Sequence, residues 1–321
     1  MDAKQLRIVF MGTPEFAVPS LRALVEGGFN VVAVVTTPDK PAGRGRRLHE
    51  SEVKIAAREL GLPILQPEKL RDPAFVAALE ALRPDLGIVI AFRMLPEVVW
   101  RMPRLGTFNL HASLLPRYRG AAPINWAIIN GERETGVTTF LLNHEIDKGA
   151  VIGQLRTPIE ADDTVGTLYE RLMHLGTGLV LETVGQLAAG TAAPIEQPQD
   201  PLEELPPAPK IFKEDGLVDW NRPGRRIIDF IRGLSPVPAA WSRLVREGDE
   251  ELTAKIFRAS FEAAAADEAP GTILTDRRTT LAVACADGRI RIEELQLAGK
   301  RRMSARELLA GFRDLDTYRF E

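Results

Sequence analysis

The chain has 321 residues, 45% of them hydrophobic and 26% charged, with a net charge of −3. That length holds two domains and a sizeable core, and the composition is that of an ordinary globular protein. The charge balance excludes a nucleic-acid-coating protein and an acidic solvating tail, so any RNA contact must come from local patches. The single cysteine, Cys285, excludes an internal disulfide and a cysteine-rich zinc site. The four histidines (His49, His111, His144 and His174) show no metal-ligand spacing, so no metal is expected. No run approaches the ~18 apolar residues that span a bilayer, and no apolar leader follows the first methionine. The protein reads as cytoplasmic, with no membrane partner.

Residues 6–11 form a short apolar run, as expected of a strand buried on both faces. Gly12-Thr13-Pro14-Glu15 turns into a helical segment stopped by Gly27-Gly28, and residues 30–36 give the second strand. This βαβ opening lacks the three-glycine fingerprint of dinucleotide binding, which disfavours a dehydrogenase. Residues 38–47 hold two prolines, two glycines and four cations, and read as a mobile basic loop. Helices are expected over 52–60 and 72–82, short strands at 63–65 and 86–91, and the central strand over 105–111. A helix over 123–130, strands over 135–142 and 151–159, and a long helix over 164–187 complete the first part. Strands alternating with helices predict an α/β fold with an open, mainly parallel sheet.

Residues 194–209 are rich in proline and acids and read as a linker. The pattern then changes to short strands at 252–261, 271–275, 279–284 and 289–297, which a small β-barrel closes naturally. Ser304 and Glu307 form a capping box opening a last helix. The expected division is a catalytic domain over 1–190, a linker over 191–209 and a β-barrel domain over 210–321.

The chemistry gathers around residues 108–120, Phe-Asn-Leu-His-Ala-Ser-Leu-Leu-Pro-Arg-Tyr-Arg-Gly. Side chains two apart on a strand share a face, so Asn109 and His111 project together at the strand's C-terminal end, the edge where open α/β sheets bind ligands. An amide that donates and an imidazole that titrates near neutrality stand side by side. Glu145-Ile146-Asp147-Lys148-Gly149 closes another apolar run and supplies a carboxylate. Asn, His and Asp on neighbouring strand ends suit acyl transfer to an amine. Asn109 and His111 would stabilise a developing oxyanion, and Asp147 would orient the imidazole and relay the amine proton.

Asn109-x-His111, the following SLLPRYRG and Asp147 before a glycine resemble the signature of the 10-formyltetrahydrofolate-dependent formyltransferases. The resemblance runs from Leu6 to about Leu309. It implies a Rossmann-like formyltransferase domain followed by an OB-like barrel, with Asn109, His111 and Asp147 as the catalytic set and 10-formyltetrahydrofolate as co-substrate. It also implies that Ser113, Leu114, Leu115 and Pro116 line the folate site, with a cis bond at Leu115-Pro116. The pterin is expected against the backbone of 91–95 and 141–147, beside Phe92, Met94 and Leu95. Many relatives carry Ala-Tyr-Gly-x-Ile-Leu-Pro there, and this chain is one residue shorter.

Gly12-Thr13-Pro14-Glu15-Phe16, the PAGRGRR segment and the barrel look like the branch that formylates charged initiator methionyl-tRNA. On that pattern Lys40, Arg44, Arg46, Arg47, Lys210 and Lys213 are phosphate contacts, with Lys300-Arg301-Arg302 a weaker set, and the protein acts as a monomer. The alternative is a sugar-nucleotide N-formyltransferase, which shares the Asn-x-His motif but needs no basic finger. A glycinamide ribonucleotide formyltransferase, a silent tRNA-binding protein and a folate hydrolase are further readings.

Overall fold

The computed structural model describes residues 2–42, 47–198, 205–265 and 267–321. In chain order its elements are β1 (Ile8–Gly12), α1 (Val18–Glu26), β2 (Val31–Val35), β3 (Lys40–Ala42), β4 (Arg47–His49), α2 (Glu52–Glu59), β5 (Ile64–Leu65), α3 (Pro73–Ala81), β6 (Leu86–Ile90), α4 (Glu97–Trp100) and β7 (Thr107–His111). There follow α5 (Pro123–Ile129), β8 (Glu134–Leu141), β9 (Val151–Pro158), α6 (Val165–Ala189), α7 (Gly224–Leu234), β10 (Ala240–Val245) and β11 (Leu252–Ala263). The chain ends with β12 (Ile273–Thr275), β13 (Leu281–Cys285), β14 (Gly288–Leu297), β15 (Met303–Ser304), α8 (Ala305–Gly311) and β16 (Arg319–Phe320). Two compact units result: residues 1–120, 135–157 and 169–207 form one, and 121–134, 158–168 and 208–321 the other.

The first unit is built on a seven-stranded sheet in the order β5-β2-β1-β6-β7-β8-β9. β1 pairs parallel with β2 and β6, and β6 parallel with β7, while β8 runs antiparallel to β7. All five residues of β1 and of β6 are buried, the pattern of strands covered on both faces. Val9, Met11, Val35, Phe75, Leu79 and Val89 pack one face of this core. At Gly87 a Cβ would lie 2.3 Å from Thr107 Oγ1, so only glycine lets β6 and β7 approach so closely. That hydroxyl instead donates to Trp100 O at 2.7 Å, tying α4 to the start of β7.

The sequence reads residues 38–47 as a loop, but both ends of that stretch are strands. Lys40 pairs with His49 and Ala42 with Arg47, making a two-stranded antiparallel ribbon. Its base is anchored by Asp39, which accepts from Lys54 Nζ at 2.5 Å and from Gln66 Nε2 at 2.8 Å. The Lys54 hydrogen bond above all holds the Asp39 carboxyl below its ordinary range.

The second unit carries an antiparallel sheet in the order β12-β13-β14-β11-β10-β16. An antiparallel bridge between Thr272 and Arg319 brings the two edges together, so the sheet is nearly closed and leaves little unpaired edge. α7 was not anticipated from the sequence. It buries Ile227, Ile231 and Leu234 in the barrel's core beside Ile256, Ile290 and Phe320. α8 starts at Ser304, whose hydroxyl accepts from Glu307 N while the Glu307 side chain returns to the Ser304 backbone, the expected capping box.

Candidate active site

β7 places Asn109 and His111 by strand geometry alone. Asn109 sits opposite Val89 on one side and Phe140 on the other, and His111 opposite Thr138. Both flanks of β7 are therefore hydrogen-bonded, which fixes where its side chains point. The Asn109 amide finds no hydrogen-bond partner among the described residues. His111 is 6% exposed, and its Nε2 lies 2.8 Å from Tyr118 O. A carbonyl only accepts, so Nε2 carries a hydrogen. The other ring nitrogen, Nδ1, faces Asp147 Oδ2 at 3.9 Å. That distance is too long for a hydrogen bond and leaves the carboxylate free to act through water or a substrate amine.

Asp147 is held differently. Its backbone is left-handed, with φ of 54°, a conformation that costs a non-glycine residue about 1–3 kcal/mol. Gly120 N donates to its Oδ2 at 3.0 Å. Arg119 Nε donates to its carbonyl at 3.1 Å and Gln197 Nε2 at 2.9 Å. Burial pushes the Arg119 guanidinium below its ordinary range, an effect opposed by the carboxylates of Asp147 and Glu145. Left-handed backbone recurs at Ala91, just past β6, and at Tyr118, whose carbonyl receives the His111 ring. Three of the six described non-glycine residues with positive φ thus border this one place, and such strain gathers where function needs it.

The loop after β7 is pinned from within. The Ser113 hydroxyl donates to Arg117 O at 2.7 Å, and Leu115-Pro116 is cis. Thr138 Oγ1 donates to Ser113 O at 2.6 Å and accepts from Leu115 N at 3.2 Å and Gln154 Nε2 at 2.9 Å. Ser113 and Leu115 are buried, while Leu114 and Pro116 are half-buried. Of the three side chains expected beside the pterin, Leu95 lies in the core with Val9 and Met11, Phe92 packs on that core, and Met94 is 77% exposed. Phe92, Arg93, Met94 and Leu95 make no backbone hydrogen bond among the described residues. Their main-chain donors and acceptors suit a planar, polar-edged ring against an apolar floor.

Lys40, Lys210 and Lys213 are exposed. Arg44 and Arg46 lie outside the described residues, as does the side chain of Arg47. Lys210 Nζ sits 5.1 Å from the Phe212 ring centroid. In the weaker basic set, Arg301 pairs with Glu307 at 2.7 Å and Arg302 with Glu294 at 2.5 Å, so both charges are already engaged. Among the described residues there is no group of three or more metal-ligating side chains, and no helix is long and apolar enough to cross a membrane. A cavity of about 410 Å³ lined by Val218, Trp220, Pro270 and Phe320 belongs to the second unit and shares no residue with this site. Gln197, Arg119 and the Tyr118 carbonyl are the site groups that periodicity did not single out.

A family model described as formyl transferase matches residues 6–184, and one described as formyl transferase, C-terminal domain, matches 210–313. The chain is 57% identical to the methionyl-tRNA formyltransferase of Bacteroides thetaiotaomicron over 320 residues, 99% of each chain. The enzyme of the same name from Porphyromonas gingivalis is 49% identical over 97% of each. Among solved structures, WlaRD, a sugar 3N-formyl transferase crystallised with dTDP and 5-N-formyl-THF, has a TM-score of 0.65 at 18% identity and covers 92% of this chain and 99% of its own. HypX from Aquifex aeolicus in complex with tetrahydrofolic acid has a TM-score of 0.62 at 22% identity, over 96% of this chain and 47% of its own. Likeness at these identities is one of fold.

Proposed function

The chain belongs to the formyl transferase family, and from that premise we propose that it transfers the formyl group of 10-formyltetrahydrofolate to the α-amine of initiator methionyl-tRNA. The observation that carries this acceptor is likeness over the full chain, barrel included, to curated methionyl-tRNA formyltransferases. On this reading the protein works in the cytoplasm as a monomer and without a metal. Its first 190 residues do the chemistry, residues 191–209 are the connection, and the remainder holds the tRNA.

Bound 10-formyltetrahydrofolate supplies the electrophilic formyl carbon. The free main-chain groups of 92–95 and the pinned turn at 113–116 would hold it. The unpartnered amide of Asn109 donates to the formyl oxygen as negative charge gathers there, a donor worth roughly 3–4 kcal/mol in comparable sites. When its ring carries both hydrogens, His111 donates from Nδ1 to the same oxygen, a second contact from the same strand face. The amine must attack neutral and then shed a proton. The Asp147 carboxylate, 3.9 Å from the imidazole, takes that proton directly or through water. As the tetrahedral carbon collapses, its bond to the folate N10 breaks, and N10 leaves with the electron pair and a proton, as tetrahydrofolate. Lys40, Arg44, Arg46, Arg47, Lys210 and Lys213 would bind tRNA phosphates.

The test offers the protein 10-formyltetrahydrofolate with charged initiator methionyl-tRNA, elongator methionyl-tRNA or an amino-sugar nucleotide. Formylation of the initiator alone is expected. Transfer to the sugar nucleotide, or to none of the three, overturns the assignment.

A further inference from the structure

The segment between the catalytic part and the barrel looks like a spacer, yet it is stitched to the site at three places. Val151 and Ile195 exchange two backbone hydrogen bonds of 2.8 Å. Two residues on, Gln197 is 7% exposed. Its Nε2 donates to the carbonyls of Asp147 at 2.9 Å and Gly149 at 2.8 Å. Its Oε1 accepts from Arg119 Nη2 at 2.5 Å and Nε at 3.2 Å. Further along, Pro206 O accepts from Tyr118 N at 2.8 Å, and Tyr118 O in turn receives His111 Nε2. The same stretch of chain thus grips Asp147 on one side and the support of His111 on the other.

A solvated linker needs no buried amide with both its donors and its acceptor engaged. The residue it holds, Asp147, has a left-handed backbone, and its own loop supplies no ladder. We propose that Gln197 is a positioning residue for the formyl transfer: with Arg119 it clamps the Asp147 backbone in the conformation that turns the carboxylate toward His111. This rests on Asp147 acting in the transfer, as inferred above. Arg119 alone cannot do it, because it reaches the Asp147 carbonyl but not that of Gly149. Glutamine is the fitting residue, since one amide donates to two carbonyls and accepts from a guanidinium at once.

The experiment measures steady-state and single-turnover formylation of methionyl-tRNA by wild type, Gln197→Ala, Gln197→Glu, Asp147→Asn and the double variant Asp147→Asn/Gln197→Ala. Gln197→Glu keeps the Arg119 partner and loses both donations to carbonyls, so it serves if the alanine variant folds poorly. Each single change at 197 should lower kcat about tenfold, with KM for either substrate within about twofold, as expected for a misplaced group rather than lost binding. In the Asp147→Asn background the change at 197 should slow the reaction no further, because its effect runs through that carboxylate. An unchanged kcat in Gln197→Glu, or losses that multiply in the double variant, overturns the positioning role. If Asp147→Asn itself is as fast as wild type, the role of Asp147 fails instead, and the two failures are told apart.

Discussion

Two segments bring side chains to the same place by different means. β7 carries Asn109 and His111 on one face, and ladders to β6 and β8 hold it on both sides. Residues 145–149 carry Asp147 on an irregular bend that has no ladder there, so separate hydrogen bonds from Gly120, Arg119 and Gln197 do the holding. A strand places its side chains through a cooperative sheet, and losing one contact changes little. A bend places its side chain through individual bonds, and each of them matters. Asn109 and His111 are therefore expected to tolerate changes around them, whereas Asp147 should be sensitive to its surroundings.

The largest expected effect is at the reacting groups themselves. His111→Ala and Asp147→Asn should each lower kcat by roughly 10²–10³-fold with the fold intact. Retained kcat in either would remove that residue from the chemistry. Next comes the bend. At Gly149 a Cβ would lie 1.6 Å from Leu141 O, so Gly149→Ala must push the 141–150 turn apart. It should destabilise the protein by about 2–4 kcal/mol in denaturant titration and lower activity with it. Native stability in that variant would show that the bend has slack the comparison denies.

Thr138→Val sharpens the strand side. It strips the hydroxyl that joins Ser113 O, Leu115 N and Gln154, leaving buried polar groups unpaired at a cost of about 1–3 kcal/mol. Because β7 itself stays laddered, KM for folate should rise while kcat for bound substrate changes little. A fall in kcat with constant KM would contradict that. The smallest effect lies in the barrel. The Ser304 backbone N–H, then Arg301, hold the Glu307 carboxyl down to about 2, below its ordinary 4.5. The folded state keeps that charge to lower pH than the unfolded chain, so its stabilisation is present above pH 4.5 and lost as pH falls toward 2. Glu307→Gln should lower Tm slightly at neutral pH, with the gap to wild type closing below 4.5. A gap that stays constant with pH would refute it.

Much of this is legible in the amino-acid sequence alone. Continuous apolar runs at 6–11 and 86–91 are buried strands because parallel strands lose both faces to helices. The spacing of Asn109 and His111 places them together because a strand repeats every two residues. Other features depend on contacts distant in sequence. The ends of the basic segment pair as a ribbon anchored by Lys54 and Gln66, which composition rich in glycine and proline conceals. Ile227, Ile231 and Leu234 recur at helical spacing, so α7 carries a local signal of its own. Leu95 packs in the core with Val9 and Met11, a placement set by neighbours distant in sequence. Gln197 had no local signal at all, because one glutamine among prolines and acids becomes a clamp only when the bend at 147–149 folds against it.

The central claim is that Asn109 and His111 act on one reacting carbon, and the direct measurement is single-turnover formylation by Asn109→Ala, His111→Ala and the double variant. Groups acting as a unit give a double loss far smaller than the product of the single losses. We expect about 10²–10³-fold for each single variant and little more for the pair. Losses that multiply fully, or single variants as fast as wild type, would contradict it.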